Sequence, residues 1–240
     1  MKNAIDLQSP VTKGELKNYE KFVYDFKDKE RVVRCHNKNV LRKDVVISKE
    51  EFWRCFVIAM LTTQTKSGEG SALECFLKNK SNILSYTYCI ALEGVEDIER
   101  EIPKNATRFW NKACLNISEA IGKLKNGLWS DIKILLSAIE TDTTLEKERD
   151  IVDFIRKNFK GIGRKQSRNI IQMMGLSKHV LQIDSRVAKK IEELSSITLN
   201  KKLLGKNYVQ IENRVNEICK SIDIYPCIFD ACTFSSQERQ

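Results

Sequence analysis

The sequence is poor in residues that interrupt helices and in residues that bind metals. Its 240 residues include only three prolines and two histidines. Proline is disfavoured inside helices because its ring clashes with the preceding turn, so this scarcity favours a mainly helical protein. With His36 and His179 alone, and with no pair of cysteines at Cys-x-x-Cys spacing, we expect no metal site.

Long apolar runs are also lacking. No stretch approaches the roughly 20 residues that a membrane-spanning helix needs. The N-terminal MKNAIDLQSP lacks the apolar centre of a secretory signal. We therefore expect an intracellular protein, in the cytoplasm or nucleoid, with no membrane partner. Its eight cysteines are scattered, and we expect them to stay reduced and to act as small hydrophobic residues.

The charge balance is basic. There are 41 lysines and arginines against 32 acidic residues, a formal net charge of +9. This balance suits a polyanionic partner such as nucleic acid, but many lysine-rich chains are simply well solvated. Charge alone leaves both interpretations open.

Helix signals divide most of the chain. Ser48 with Glu51, and Thr143 with Glu146, have the spacing of capping boxes that start helices. Segments 22–33 and 40–47 fit either a short extended element or an extra helix. Apart from the helix after Ser48, apolar spacing predicts helices over 71–77, 105–123, 128–139, 145–159, 164–174, 185–194, 207–221 and 226–234.

The most informative segment is KGIGRKQSRNIIQMMGLSKHVLQIDSR, over residues 160–186. Gly161 and Gly163 form a turn between two predicted helices, which makes a helix-hairpin-helix. Glycine leaves space for an approaching phosphate, and the N–H groups at a helix start attract anions. Lys160 and Arg164 add positive charge beside the turn. The segment predicts a DNA phosphate contact, the alternative being an ordinary connection capped by glycine.

Two side chains near this turn carry candidate chemistry. Lys165 stands in the first turn of a helix, where the dipole disfavours a cation and so lowers the cost of forming a nucleophilic amine. Its alternative role is to bind phosphate or to be solvated. Asp184 can cap the next helix, and a carboxylate held in this way can also stabilise a developing cation. Asn169 lies one helical turn after Lys165 and fits either a base pocket or a solvated surface.

KGIGRKQSRNIIQMMG followed by LQIDSRV resembles the superfamily of DNA glycosylases that share a helix-hairpin-helix, a Gly/Pro-rich loop and an aspartate. This superfamily includes endonuclease III and the 8-oxoguanine DNA glycosylases. The resemblance implies that Lys165 is the Schiff-base lysine and Asp184 the catalytic aspartate. FVIAMLTTQTKSG is similar to the helix and loop whose glutamine, here Gln64, enters the duplex near the lesion. The likeness covers roughly residues 48–235.

Further segments favour one branch of this superfamily. RFWNKACLNI and KERDIVDFIRKNFKGIGRK are similar to the short prokaryotic 8-oxoguanine glycosylases, and YPCIFDACTF resembles the closing helix. The turn departs from the pattern, because KGIG stands where many members have PGVG. Endonuclease III-like enzymes bind an iron–sulfur cluster through four cysteines, whereas only Cys219, Cys227 and Cys232 fall in that region. We expect no iron–sulfur cluster and no other cofactor.

The resemblance implies a mainly α fold of the helix-hairpin-helix DNA glycosylase type, with two helical subdomains and the active site in the cleft between them. We expect an N-terminal extension over residues 1–47 and a glycosylase domain over residues 48–240. Within that domain, residues 48–140 and 141–205 form the subdomains, and residues 206–240 return to pack on the first. We expect a monomer.

Together these features predict a base excision repair DNA glycosylase with AP lyase activity. We expect it to remove an oxidised base through a lysine Schiff base, and 8-oxoguanine is the favoured substrate. Its partner is double-stranded DNA containing a damaged base or an abasic site. The alternatives are a glycosylase for oxidised pyrimidines or mismatches, a non-catalytic helix-hairpin-helix DNA-binding module, and a helical protein-interaction domain. The candidates for the base pocket are Asn169, Trp110, Phe109 and Asp230.

Overall fold

The computed structural model describes residues 9–65, 70–79, 82–195, 197–199 and 201–237. Over these ranges the regular structure is helical and no strand occurs, so the predicted mainly α fold is confirmed. In the same ranges no helix has the length and apolar character to cross a bilayer. The α-helices are α1 (Lys13–Phe26), α2 (Glu30–Cys35), α3 (Lys49–Leu61), α4 (Ala72–Lys78), α5 (Tyr86–Cys89), α6 (Val95–Glu101), α7 (Trp110–Lys125), α8 (Leu128–Thr141), α9 (Leu145–Asn158), α10 (Arg164–Met173), α11 (Ser185–Ser195), α12 (Lys201–Ser221) and α13 (Pro226–Ser235).

Hydroxyl side chains start several of these helices. Ser48 Oγ accepts the N–H of Glu51 at 3.1 Å and caps α3, as predicted. The predicted start of α9 at residue 145 is right, but its predicted cap is wrong by one residue, because Thr144 rather than Thr143 accepts the N–H of Lys147. Thr143 instead donates to the carboxylate of Glu148 at 2.7 Å. Glu148 is fully buried, and a buried carboxylate needs a donor.

Other helix limits also differ from the sequence predictions. Helix α7 begins at Trp110 rather than at residue 105, because Thr107 and Arg108 direct their hydrogen bonds to Thr65. Helix α12 extends further towards the N-terminus than predicted and is kinked at Asn207. Of the two ambiguous N-terminal segments, 22–33 takes its helical alternative in α1 and α2. A π-helical turn follows over His36–Val40, and residues 41–47 form neither helix nor strand.

The chain divides into two compact units. The terminal unit comprises the described residues of Met1–Asp44 and Ser177–Gln240, and the central unit comprises those of Val45–Leu176. The described residues up to Asp44 therefore belong to the terminal unit. The domain limits that the sequence analysis gave stay a prediction.

The terminal unit is built around aromatic contacts and one buried ion pair. Tyr19 on α1 lies 5.2 Å from the ring of Phe229 on α13, measured between centroids, and both side chains are buried. Arg214 on α12 donates to both carboxylate oxygens of Glu15 on α1, at 3.1 and 2.6 Å. Removing one partner of such a pair would leave an uncompensated buried charge, so the pair holds α1 to α12.

The central unit is built around the aromatic residues of α3. Phe52, Trp53 and Phe56 are completely buried there. Phe159, the residue that ends α9, packs against Phe56 with ring centroids 4.9 Å apart. The indole N–H of Trp53 donates to the carbonyl of Ile83 at 2.9 Å. Because Phe159 lies two residues before Gly161, this core sets the direction in which the chain enters the turn.

Candidate active site and DNA-contacting turn

The glycine turn between α9 and α10 has one glycine that the fold requires. Gly161 has φ of +80°, a conformation that L side chains rarely adopt. A Cβ at this position would lie 2.4 Å from Asn116 Nδ2 and 3.0 Å from Met60 Sδ. Gly163 differs, since its φ of −89° is ordinary and a Cβ there would meet no atom within 4 Å. The surroundings within the protein therefore explain Gly161 but not Gly163.

One of the basic residues beside the turn, Lys160, lies close to an acidic side chain. Lys160 Nζ lies 2.9 Å from Glu119 Oε2 on α7, and Lys123 Nζ lies 3.0 Å from the other oxygen of the same carboxylate. Lys160, and to a lesser degree Lys123, holds the pKa of Glu119 below its usual value. Arg164, the first residue of α10, is exposed. Lys160 thus forms an ion pair with a carboxylate of the protein at the surface.

Lys165 lies in the first turn of α10, as predicted, and its side chain is half-buried. Asn169, one turn later, is also half-buried. The helix ends in a Schellman motif, in which Gly175 has φ of +83° and Leu176 N–H donates to Ile171 O at 2.8 Å. Gly175 therefore caps the C-terminal end of α10.

Gln64 occupies a turn just after α3. Its side chain is exposed, and its φ of +51° is rare for a residue other than glycine. The neighbouring threonines, Thr63 and Thr65, are anchored by hydrogen bonds to other parts of the central unit. An exposed side chain in a strained conformation on an anchored turn is a common arrangement at functional sites.

Phe109 and Trp110 start α7 in the central unit. The ring of Phe109 is 36% exposed and lines a cavity of about 170 Å³ that Gly161 also lines. Trp110 is half-buried, and its indole N–H donates to the carbonyl of Ile102 at 2.6 Å. Of these two residues, Phe109 therefore has the more exposed ring.

Asp184, in the terminal unit, is held by backbone and side-chain donors. Its Oδ1 accepts the N–H groups of Arg186 and Val187 at 2.9 and 3.0 Å, which confirms it as the cap of α11. Its Oδ2 accepts Nε and Nη2 of Arg186 at 2.9 and 2.5 Å. The carboxylate is half-buried and has a defined orientation.

The sequence analysis missed a cationic stack beside Asp184. The guanidinium carbons of Arg31 and Arg186 lie 3.6 and 4.2 Å from the ring centroid of Phe234. Arg186 was visible two positions after Asp184, but Arg31 lies in the segment that the family resemblance did not cover. Asp230, a pocket candidate on α13, is buried and accepts Nε2 of Gln182 at 2.9 Å.

The candidate residues are divided between the two units. Asp184 and Asp230 belong to the terminal unit, and the others belong to the central unit. In the part of the chain that the structure describes, no group of three or more histidine, cysteine or acidic side chains is arranged to hold a metal ion. The candidates in the central unit are Gln64, Phe109, Trp110, Lys160, Gly161, Gly163, Arg164, Lys165 and Asn169.

A sequence model of the 8-oxoguanine DNA glycosylases matches residues 38–224, which include the glycine turn, Lys165 and Asp184. The chain belongs to the 8-oxoguanine DNA glycosylase family. No curated protein matches the sequence. The resemblance that the motifs carried is confirmed at the level of the family.

Solved 8-oxoguanine glycosylase structures share the fold. The Methanocaldococcus jannaschii 8-oxoguanine DNA glycosylase has a TM-score of 0.64 at 17% identity, with 93% of each chain covered. A structure of the glycosylase/lyase of the same organism with a 15mer DNA containing 8-oxoguanine has a TM-score of 0.64 at 18% identity, covering 91% of this chain and 96% of that one. The Thermotoga maritima enzyme has a TM-score of 0.67 at 15% identity, covering 94% and 98%.

The contrast between the two glycines gives a test of the turn. We expect Gly161→Ala to lower the free energy of unfolding by about 1–2 kcal/mol, because alanine is strained at positive φ. Gly163→Ala is the matched control and should change it by less than about 1 kcal/mol, since φ there suits alanine even though alanine caps a helix less well. Urea unfolding of both variants measures the difference. Equal losses would mean that Gly161 has no special conformational role.

Proposed function

We propose that this protein is a base excision repair glycosylase with AP lyase activity that removes 8-oxoguanine from double-stranded DNA. The observation that carries the proposal is Lys165 in the first turn of α10, directly behind the glycine turn, in a chain of the 8-oxoguanine DNA glycosylase family. One structural neighbour is a glycosylase/lyase in complex with DNA containing 8-oxoguanine.

In this proposal Lys165 acts as the nucleophile on a nucleotide turned out of the duplex. Its neutral amine attacks C1′, the N–C1′ bond forms, and the glycosidic electron pair leaves with the base. Loss of the amine proton and opening of the sugar ring give a Schiff base at C1′. Removal of a C2′ proton then expels the 3′ phosphate oxygen and nicks the strand. The helix dipole at the start of α10 favours the neutral amine over the ammonium.

Asp184 stabilises the positive charge that develops on the sugar. Its four hydrogen bonds fix the carboxylate before the substrate binds, and a carboxylate that needs no reorganisation is effective in this role. Gln64 enters the duplex and fills the space that the extruded nucleotide leaves.

The glycine turn binds a backbone phosphate of the DNA. The open space at Gly163 lets a phosphate approach the N–H groups at the start of α10, and Arg164 adds charge there. Lys160 joins this contact by exchanging Glu119 for a phosphate. Gly161 keeps the turn in the conformation that presents these groups.

The base pocket draws on aromatic and polar candidates. The open ring of Phe109 suits stacking on a base, whereas Trp110 is half-buried and held by its bond to Ile102, so that it can line the pocket. Asn169 and Asp230 supply polar groups. Selecting 8-oxoguanine over guanine requires an acceptor for its N7–H, since an unmatched polar group costs about 1–3 kcal/mol.

We propose that the reaction needs no iron–sulfur cluster or other cofactor, and that the enzyme acts as an intracellular monomer. Cys219, Cys227 and Cys232 are buried in the apolar core of the terminal unit. Burial raises the pKa of the Cys232 thiol to about 12. A cluster held by four cysteine thiolates needs one more cysteine than these three provide.

Substrate choice is the first test. We expect base release from 8-oxoguanine opposite cytosine to exceed release of thymine glycol or uracil, in single-turnover reactions on otherwise identical duplexes. The reason is membership of the 8-oxoguanine family. Fastest processing of thymine glycol would place the enzyme with the glycosylases for oxidised pyrimidines. DNA binding without base release from any duplex would leave a non-catalytic helix-hairpin-helix module.

The nucleophile is tested by covalent trapping. We expect borohydride to link the wild-type protein to 8-oxoguanine DNA and Lys165→Gln to give no linked product, because an amide cannot form a Schiff base. DNA binding by the variant, measured by fluorescence anisotropy, should stay near wild type. Lys189→Gln, at an exposed lysine of α11, is a control that should still be trapped. Full trapping of Lys165→Gln would place the nucleophile elsewhere.

The two roles of Asp184 can be separated with Asp184→Asn. Asparagine still caps a helix, so the variant loses only the ion pair between residue 184 and Arg186. The free energy of unfolding should therefore fall by less than about 2 kcal/mol. Base release should slow on the order of 100-fold, since a preorganised charge is lost. Wild-type rates in this variant would reduce Asp184 to a cap.

A further inference from the structure

One hydrogen bond joins the turn that carries Gln64 to the helix that carries Lys165. The side-chain Nε2 of Gln166 donates to Thr63 Oγ1 at 2.9 Å. Gln166 directly follows Lys165, and Thr63 directly precedes Gln64. A single side-chain contact therefore links the immediate neighbours of the residues proposed to attack the sugar and to enter the duplex.

The same turn has a second anchor on its other side. Thr65 Oγ1 accepts the N–H of Arg108 at 3.0 Å and lies 3.1 Å from the hydroxyl of Thr107. Gln64 stands between the two anchored threonines with φ of +51°. A conformation of this kind persists only where the surroundings hold it, and these two anchors supply the holding contacts.

Gln166 is buried, and its amide makes one side-chain hydrogen bond among the described residues. Its side chain is 5% exposed, and its Oε1 finds no hydrogen-bond partner among the described residues. A buried polar atom left unsatisfied destabilises a fold relative to an apolar side chain of the same shape. Packing alone would therefore favour methionine or leucine here, and the bond to Thr63 is what the glutamine adds.

We infer that Gln166 is a positioning residue whose bond to Thr63 sets the placement of Gln64 relative to Lys165. The same placement of these two residues then serves both steps: Gln64 supports extrusion of the damaged nucleotide, and Lys165 attacks its sugar. The inference rests on the proposed function. It assigns Gln166 no contact with DNA and no part in bond breaking, since its effect passes through Thr63 to the turn.

The chain offers matched variants for a test. Gln166→Met and Thr63→Val remove the bond from either side with little change in shape, whereas Thr63→Ser keeps the hydroxyl. Thr62→Val is the control, because the Thr62 hydroxyl donates to carbonyls of its own helix, Ile58 O and Ala59 O. Each variant is assayed for single-turnover base release from 8-oxoguanine duplex, for nicking of a preformed abasic duplex, and for melting temperature.

We expect Gln166→Met and Thr63→Val each to slow base release about tenfold, the scale of effect that a small misplacement of reacting groups produces. Nicking of the abasic duplex should fall less, because no base has to be extruded. Thr63→Ser and Thr62→Val should stay near wild type. The melting temperature of Gln166→Met should not fall, since an unsatisfied buried oxygen is removed.

A double-mutant cycle decides between positioning and structure. In a Gln64→Ala background, Gln166→Met should slow base release no further, because the residue that it positions is gone. An equal slowing in both backgrounds, or a loss of activity that follows a lower melting temperature, would overturn the inference while leaving the proposed function in place. If the wild-type protein released no base from any duplex, the proposed function would fail and the inference with it.

Discussion

The close approach of the glycine turn to α3 and α7 is the constraint on which the rest of the central unit depends. At Gly161 the backbone passes so near Asn116 and Met60 that a Cβ would collide with their side chains. The turn can reverse the chain here only because glycine adopts positive φ without a side chain. Phe159 anchors the preceding residues in the aromatic core. The position of the start of α10, and with it of Lys165, is therefore set by two features: the packing of Phe159 before the turn and the positive φ that Gly161 adopts within it.

Charged groups at the candidate site are paired within the protein. Asp184 is bonded to Arg186, which also stacks on Phe234, and Lys160 is bonded to Glu119. A DNA phosphate that takes over such a cation must compete with a protein carboxylate. An exposed ion pair such as Lys160–Glu119 contributes little to folding, but its replacement by a DNA phosphate depends strongly on salt.

Positioning in this protein relies on short hydroxyl contacts as much as on charge. Thr63 and Thr65 hold the strained turn at Gln64, and Ser48 and Thr144 cap α3 and α9 of the central unit. Hydroxyl groups suit this task because they donate and accept at short range without the desolvation cost of a buried charge. A site whose parts must keep their spacing gains from such contacts.

The sequence by itself determined the helical class, the glycine turn, Lys165 at the start of its helix, and Asp184 as a cap. These are local features, because periodicity, caps and glycine turns depend on residues a few positions apart. Only the tertiary structure decided the contacts of residues far apart in the chain. It paired Gln166 with Thr63, stacked Arg31 and Arg186 on Phe234, and buried Glu15 against Arg214. It also made Thr144 rather than Thr143 the cap of α9, because the Thr143 hydroxyl donates to the buried carboxylate of Glu148. No local pattern contains such partners, since packing of the whole chain brings them together.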